Sequence, residues 1–386
     1  MIPYGRQTIT EGDIDAVVKV LQSPYLTQGP VVPQFERIIF EFCRAKHAVA
    51  TNSATSALHI ACLALGLGPG DILWTSPNSF CASANCARFC GAEVDFVDIA
   101  PKTYNLCTTA LEAKLRVAER SGKLPKVVVP VHFSGQPCEM AQIFDLSQRF
   151  GFRIIEDASH AVGATYKSQP IGGCQYSDIA VFSFHPVKII TTGEGGLALT
   201  NSSEIAKKMR RLRSHGVTRE GSEMVRQLDG PWYYEQLELG FNYRMTDIQA
   251  ALGISQWSRL ASVLAERQEI ADRYNFLLDG LPLARPHSID EVDCSNHLYV
   301  IRLLLDRVRR SHAEVFQSLR QKGIGVNLHY IPIHTHPYYQ KQGFGFGDFP
   351  EAERYYREAI SLPIFPGLLP DQQKDIVETL ASLLQP

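Results

Sequence analysis

At 386 residues, 45% hydrophobic and 20% charged, the chain has the make-up of an ordinary globular protein long enough for two domains. Its 38 basic and 40 acidic side chains leave a net charge of −2, which argues against nucleic acid or a membrane surface as a partner. No apolar run reaches the length of a membrane span and Met1-Ile2-Pro3-Tyr4-Gly5-Arg6 lacks a signal-peptide plan, so a cytoplasmic location is expected.

Residues 1 to about 36 read as an arm and one helix, opened by Glu11-Gly12-Asp13, with Ile14, Val17, Val18 and Leu21 at helical spacing. Ser23-Pro24-Tyr25-Leu26-Thr27-Gln28-Gly29-Pro30 is a loop by its Pro and Gly content. His47 to Thr51 is a short strand, and Asn52-Ser53-Ala54-Thr55-Ser56 turns from it into a helix. Small polar residues at a helix start leave N–H groups free to bind an anion, although plain N-capping reads the same way. A strand over Asp71 to Thr75 leads to Ser76-Pro77-Asn78-Ser79-Phe80, where Phe80 is by default a core residue. Further strands are expected over 93–99 and 126–131, with a polar helix between them. His132-Phe133-Ser134-Gly135 closes the second strand, and His132 receives no firm role. The nine scattered cysteines form no disulfide framework. Cys86 and Cys90 can share a helix face, but no second ligand pair follows, so no metal is expected.

The run Phe152-Arg153-Ile154-Ile155 is a strand that ends near Glu156-Asp157-Ala158-Ser159-His160. A second strand, Ile179-Ala180-Val181-Phe182, ends at Ser183-Phe184-His185-Pro186-Val187-Lys188, and the glycines of Thr191-Thr192-Gly193-Glu194-Gly195-Gly196 turn the chain into Leu197-Ala198-Leu199-Thr200. A lone lysine on a loop is normally a surface residue. One held between buried strands loses hydration, its pKa falls, and it becomes a nucleophile able to form a Schiff base. In an open α/β sheet, ligands sit beyond the carboxyl ends of the strands. A lysine and a carboxylate at two such ends suit pyridoxal 5′-phosphate: Lys188 takes the aldehyde and Asp157 the ring nitrogen.

Strands alternating with helices from about 47 to 200 predict a mainly parallel, doubly wound sheet. Lys208 to Gly216 carries a basic cluster in which Arg213 is either a solvated helix residue or a phosphate ligand. From Thr246 the pattern is helical through about Leu281. A strand over His297 to Ile301, a helix over Ala313 to Gln321, a strand near Val326 to Tyr330 and a helix over Gln372 to Leu384 complete a smaller unit. Residues 1–250 are therefore read as an arm with a large cofactor-binding domain, and 251–386 as a small C-terminal α+β domain.

The motifs around Asp157 and Lys188, with Gly240-Phe241-Asn242-Tyr243-Arg244-Met245-Thr246-Asp247, resemble the fold-type I, pyridoxal-phosphate-dependent sugar aminotransferases of the DegT/DnrJ/EryC1/StrS type, which make amino sugars on nucleotide carriers. The resemblance spans nearly the whole chain. It implies an α/β fold whose large domain holds a mainly parallel mixed sheet flanked by helices. It also implies that Ala54, Thr55 and Ser183 hold the cofactor phosphate, that Phe80 stacks on the pyridine ring, and that His160 meets the ring hydroxyl where relatives often carry Gln. Asn242 is implied to reach the phosphate of a neighbouring subunit, hence a homodimer with shared sites. Tyr4, Thr27, Gln28, His329 and Tyr330 are implied to face the substrate, while His185 and Arg244 stay without a role. The runs Phe182 to Gly196 and Gly230 to Gly240 resemble one subgroup, whose acceptor is a UDP-linked 2-acetamido-2,6-dideoxy-4-ketohexose and whose donor is L-glutamate. Other nucleotide-linked ketosugars, 4-keto or 3-keto, are the alternative.

Rival chemistries use some of the same residues. Relatives that remove a sugar hydroxyl carry histidine in place of Lys188. A Ser-His-Asp hydrolase built on Asp157, Ser159 and His160 lacks the G-x-S-x-G elbow and draws its members from one short run. His329, His334 and His336 fit metal-ligand spacing poorly. A non-catalytic sensor of the cofactor would need an output module, and no segment is left over for one.

Overall fold

The computed structural model describes residues 1–226 and 229–385. Its centre is a seven-stranded sheet built from β1 (His47–Thr51), β2 (Ile72–Thr75), β3 (Glu93–Phe96), β4 (Val127–Val129), β5 (Arg153–Asp157), β6 (Ile179–Ser183) and β7 (Gly196–Thr200), in the order β1-β7-β6-β5-β4-β2-β3. Neighbours from β6 through β5, β4 and β2 to β3 run parallel, while β7 runs antiparallel to both β1 and β6. The strands read as apolar runs because both faces are covered. Alternate side chains enter two different cores: Val49, Leu73, Val127, Ile155, Val181 and Ala198 on one face, Ala48, Trp74, Val128, Ile154, Phe182 and Leu199 on the other.

Helices α3 (Ala54–Ala64), α4 (Ala82–Phe89) and α7 (Ser203–Arg213) cover the first face. The second is covered by α2 (Val31–Cys43), α5 (Thr108–Ser121), α6 (Met140–Phe150) and α8 (Asp247–Trp257). The predicted first helix is two: α1 (Glu11–Leu21) precedes α2. The apolar stripe of α1 does not enter a core, since Ile14, Val18 and Leu21 are 47%, 39% and 54% exposed.

A second core gathers residues of α9 (Leu260–Leu277), α10 (His312–Gln321), the C-terminal helix Pro370–Leu384 and an antiparallel sheet of Leu283–Ala284, Tyr299–Leu303 and Ala359–Leu362. The expected single helix from Thr246 breaks at Ser258-Arg259, and the change from one core to the other falls within α9, between Val263 and Ile270. The strand expected near Val326 to Tyr330 does not form. Apart from one bridge, Asn327 to Ser361, that segment is irregular, and this frees His329 and Tyr330 to turn toward the large sheet. The N-terminal arm binds the second core through an Ile2–Ile324 bridge, and Ile364 N–H donates to Tyr4 O (3.0 Å). No described helix is long and apolar enough to cross a membrane.

Candidate active site

Strands β1, β2, β5 and β6 all point the same way, so their carboxyl ends share one edge of the sheet. That edge carries the start of α3, the Phe80 loop, Asp157, and Ser183 with the Lys188 loop. The topology thus gathers residues scattered over more than a hundred positions of sequence.

Asp157 ends β5 and is buried. Ser83 Oγ donates to its Oδ2 (2.6 Å), and Ser159 donates to its Oδ1 from both Oγ (2.6 Å) and the backbone N–H (3.2 Å). Three donors to one carboxylate fix its orientation. Lys188 lies in the turn after β6, partly covered. Desolvation lowers its amine to about 8, and the negative charge of Asp157 opposes that fall.

His160 is buried beside them. Its Nδ1 accepts from Ser134 N–H (3.3 Å), so Nε2 carries the proton and donates to Tyr330 OH (3.0 Å). Burial, then the Lys188 and His329 charges, hold His160 well below the ordinary histidine range. It is a neutral donor at physiological pH. His329 is lowered to about 3, mainly by burial, and its Nδ1 lies 2.8 Å from Ser361 Oγ. Tyr4 packs against it with ring centroids 5.4 Å apart. Phe80, expected by default in the core, is 59% exposed, with the Tyr330 ring 6.3 Å away. An exposed phenylalanine at this edge is a free face for a flat ligand.

The start of α3 offers free N–H donors to an anion. Ser53 Oγ caps Ser56 N–H (3.1 Å), and among the described residues neither Ala54 N–H nor Thr55 N–H has an acceptor. Gly196 abuts this end so closely that a Cβ there would lie 2.4 Å from Ala54 N. Ser183 is buried at the end of β6, and among the described residues its Oγ is approached only by His185 N–H (3.5 Å). A phosphate at the helix start, a ring on Phe80, an anion for a pyridinium and an amine for an aldehyde are all accommodated. The residues present fit pyridoxal 5′-phosphate.

Other expected site residues lie elsewhere in this protomer. Gln28 lines a groove with Arg219, Tyr234 and Arg244, separate from the residues around Lys188. Thr27 bridges Thr246. Asn242 is exposed, its backbone bridged to Ser214. Arg213 is no free phosphate ligand: it pairs with Glu36 (2.6 Å) and donates to Ala50 O (2.8 Å). His132 is occupied by Glu156 (2.7 Å) and His334 by Glu353 (3.1 Å). Ser159 bonds Asp157 and not His160, so these three residues form no hydrolase relay. Ser83 had no signal in the sequence beyond lying three residues after Phe80.

A lysine of depressed basicity, an oriented carboxylate and an anion-binding helix start on one sheet edge define a fold-type I pyridoxal-phosphate enzyme. Residues 7–381 match the DegT/DnrJ/EryC1/StrS aminotransferase family, and the chain belongs to it. It is a pyridoxal-phosphate-dependent aminotransferase. Over its full length it is 40% identical to the spore coat polysaccharide biosynthesis protein SpsC of Bacillus subtilis, covering 97% of that protein. It is 38% identical, over 100% of this chain and 98% of the relative, to the UDP-4-amino-4,6-dideoxy-N-acetyl-beta-L-altrosamine transaminase of Campylobacter jejuni. Among solved structures, Helicobacter pylori PseC, an aminotransferase involved in the biosynthesis of pseudoaminic acid, superposes with a TM-score of 0.90 at 31% identity over 99% of both chains.

Proposed function

We propose that the enzyme moves an amino group from L-glutamate to C4 of a UDP-linked 2-acetamido-2,6-dideoxy-4-ketohexose, the reaction of a UDP-4-amino-4,6-dideoxy-N-acetyl-β-L-altrosamine transaminase in pseudaminic acid biosynthesis. The observation that carries this reading is the end-to-end match to a relative of that name, with Lys188 standing where an amino-transfer enzyme needs it. The bound cofactor supplies an electron sink for the carbon that loses its proton. Lys188, with its lowered basicity, would take the proton from the donor carbon and deliver it to the cofactor carbon, and would run the same transfer in reverse in the second half of the reaction. Asp157, held by Ser83 and Ser159, keeps the ring nitrogen protonated. His160 offers its Nε2–H to the ring hydroxyl or to Tyr330. Ala54, Thr55 and Ser183 hold the phosphate, Phe80 covers the ring, and Tyr4, His329 and Tyr330 border the sugar.

The working unit is a homodimer in this reading. The exposed stripe Ile14, Val18 and Leu21, with Leu239 at 79% exposure, supports a second copy covering that side. Asn242 would then reach the partner's phosphate, and the groove of Gln28, Arg219 and Arg244 would close over the partner's sugar nucleotide.

SpsC, at 40% identity, favours a second reading in which another nucleotide-linked ketosugar is the acceptor. Incubation with L-glutamate and a panel of UDP- and dTDP-linked 4-ketosugars, with products read by mass spectrometry and NMR, separates the two. Amination of the L-configured UDP-4-ketosugar alone is expected. Product only from a D-configured epimer or from a dTDP-sugar overturns the assignment.

A further inference from the structure

Burying a guanidinium is costly unless a carboxylate or a full set of acceptors meets it. Arg267 on α9 is 2% exposed, and burial lowers its pKa only to about 10, so it is a cation at neutral pH. Its three hydrogen bonds all leave from Nη1, to the carbonyls of Asn296 (3.1 Å), His297 (3.3 Å) and Ile364 (3.3 Å). Its Nε has no partner among the described residues. Those acceptors are neutral; the nearby Glu266 charge opposes the fall without a hydrogen bond to the guanidinium among the described residues.

This side chain lines a cavity of about 260 Å³ that also borders Lys188, Thr191, Arg6, Arg259 and Glu266. Arg259 is already committed to Asp13 (2.7 Å), and Glu266 accepts from Gly367 N–H (3.2 Å). Arg6 lies over the Phe365 ring at 4.9 Å, an arrangement that leaves the edge of its guanidinium open to an acceptor. Cations therefore outnumber carboxylates in the lining, and among the described residues no carboxylate hydrogen-bonds its buried member. Ordinary ligand pockets begin near 300 Å³. A nucleotide sugar does not fit, but an amino-acid side chain does.

We propose that this cavity receives the side-chain carboxylate of a dicarboxylic amino donor, held by Arg267 and Arg6 while the donor's amino group faces Lys188. The assignment rests on the aminotransferase reading above and gives its donor specificity a location. The cofactor phosphate has its own site at α3, which leaves the charge here to serve a different anion.

The test compares donors in the first half-reaction, without sugar. Holoenzyme is mixed with L-glutamate or L-alanine, and half-saturation is read from the change in cofactor absorbance. Arg6→Gln is expected to cut the preference for glutamate over alanine roughly tenfold, as befits one lost charge-assisted bond. Arg267→Lys, which keeps the charge but not the fork, is expected to do the same. Calorimetry of glutarate, a dicarboxylate without an amine, on cofactor-free protein gives a readout independent of turnover, and Arg6→Gln should weaken its binding by a similar factor. An unchanged donor preference, or equal losses for both amino acids, with unchanged glutarate binding, overturns the proposal. Should neither amino acid react with the wild type, the L-glutamate donor assignment falls, and glutarate calorimetry still decides whether the cavity binds a dicarboxylate.

Discussion

Ser83 Oγ on α4 donates to Asp157 Oδ2 on β5 over 2.6 Å. This ties the helix that follows Phe80 to the strand end that presents the carboxylate. Ser83 lies in the first turn of that helix and its N–H donates back to Phe80 O (3.3 Å), so the same chain turn positions both the ring platform and a donor to the anion meant for the ring nitrogen.

That coupling makes Ser83→Ala informative. A hydrogen bond to a charged group contributes about 1.5–3 kcal/mol, and Ser159 retains the other oxygen of Asp157. We expect turnover to fall roughly tenfold to a hundredfold while the protein stays folded. Asp157→Asn, which removes the charge itself, should cost more. Steady-state kinetics with thermal melts check both, and a Ser83→Ala enzyme with wild-type kcat would remove Ser83 from the site.

Lys188→Ala should lose turnover by about a thousandfold or more, in line with the loss of a positioned base. The side chain is only partly covered, and deleting it removes a desolvated cation, so the melting temperature should not fall. Wild-type protein treated with borohydride after cofactor loading should carry the label on the peptide containing Lys188. Full activity in the variant, or the label on another lysine, would contradict the assignment.

The depressed basicity of Lys188 also has a pH signature. In the unfolded chain the amine titrates near 10.4, and in the folded chain near 8. Between those values the unfolded state binds the extra proton, so stability rises with pH in that window. Against Lys188→Met, the wild type should therefore gain stability from pH 8 toward pH 10, and the rate of cofactor capture should rise with a midpoint near pH 8. Denaturant melts and stopped-flow absorbance across this range provide the check. A capture midpoint near 10 would mean that the amine is not desolvated.

Which parts of this site could be read from sequence follows from how locally each is determined. The placement of Asp157 and Lys188 on one sheet edge is legible because Asp157 closes one apolar run and Lys188 follows the end of another. Ala54 and Thr55 were legible because a helix start follows a short strand. Ser83 was not, because a serine in the first turn of a helix looks the same whether it faces a carboxylate or solvent. The segment around His329 reads as a strand but forms no ladder: Val326 enters the C-terminal core, His329 packs against Tyr4 and Tyr330 lies near Phe80. The break at Ser258-Arg259 was hidden because helical periodicity continues on both sides of it. Arg213 had two readings open, and only the tertiary position of Glu36 decides between them.

Gly196→Ala probes the phosphate site without touching a polar group. Its backbone is conventional, yet the added Cβ would sit 2.4 Å from Ala54 N and 2.4 Å from Ser53 O. Backbone atoms cannot yield like the end of a side chain, so the start of α3 must shift. Overpacking of this kind costs about 1–3 kcal/mol. Weaker cofactor affinity, measured by dialysis and fluorescence, should accompany the lower melting temperature. Unchanged affinity would show that the phosphate is not held there.

Asn242 offers the sharpest test of shared sites, because it is exposed in this protomer while Lys188 lies at the sheet edge. Asn242→Asp places a negative charge where the partner's phosphate is expected and should abolish cofactor retention through repulsion. Lys188→Ala is inactive for a separate reason. If each site takes Lys188 from one subunit and Asn242 from the other, a mixed dimer of the two variants contains one wild-type site and one carrying both defects. Refolding the two inactive variants together should then restore activity that neither shows alone. Light scattering checks that both remain dimers, and Leu21→Asp, which charges the exposed α1 stripe, should shift the mixture toward monomer and reduce the recovery. If Lys188 and Asn242 instead served the same site from one chain, no mixture could contain an intact site and no activity would return.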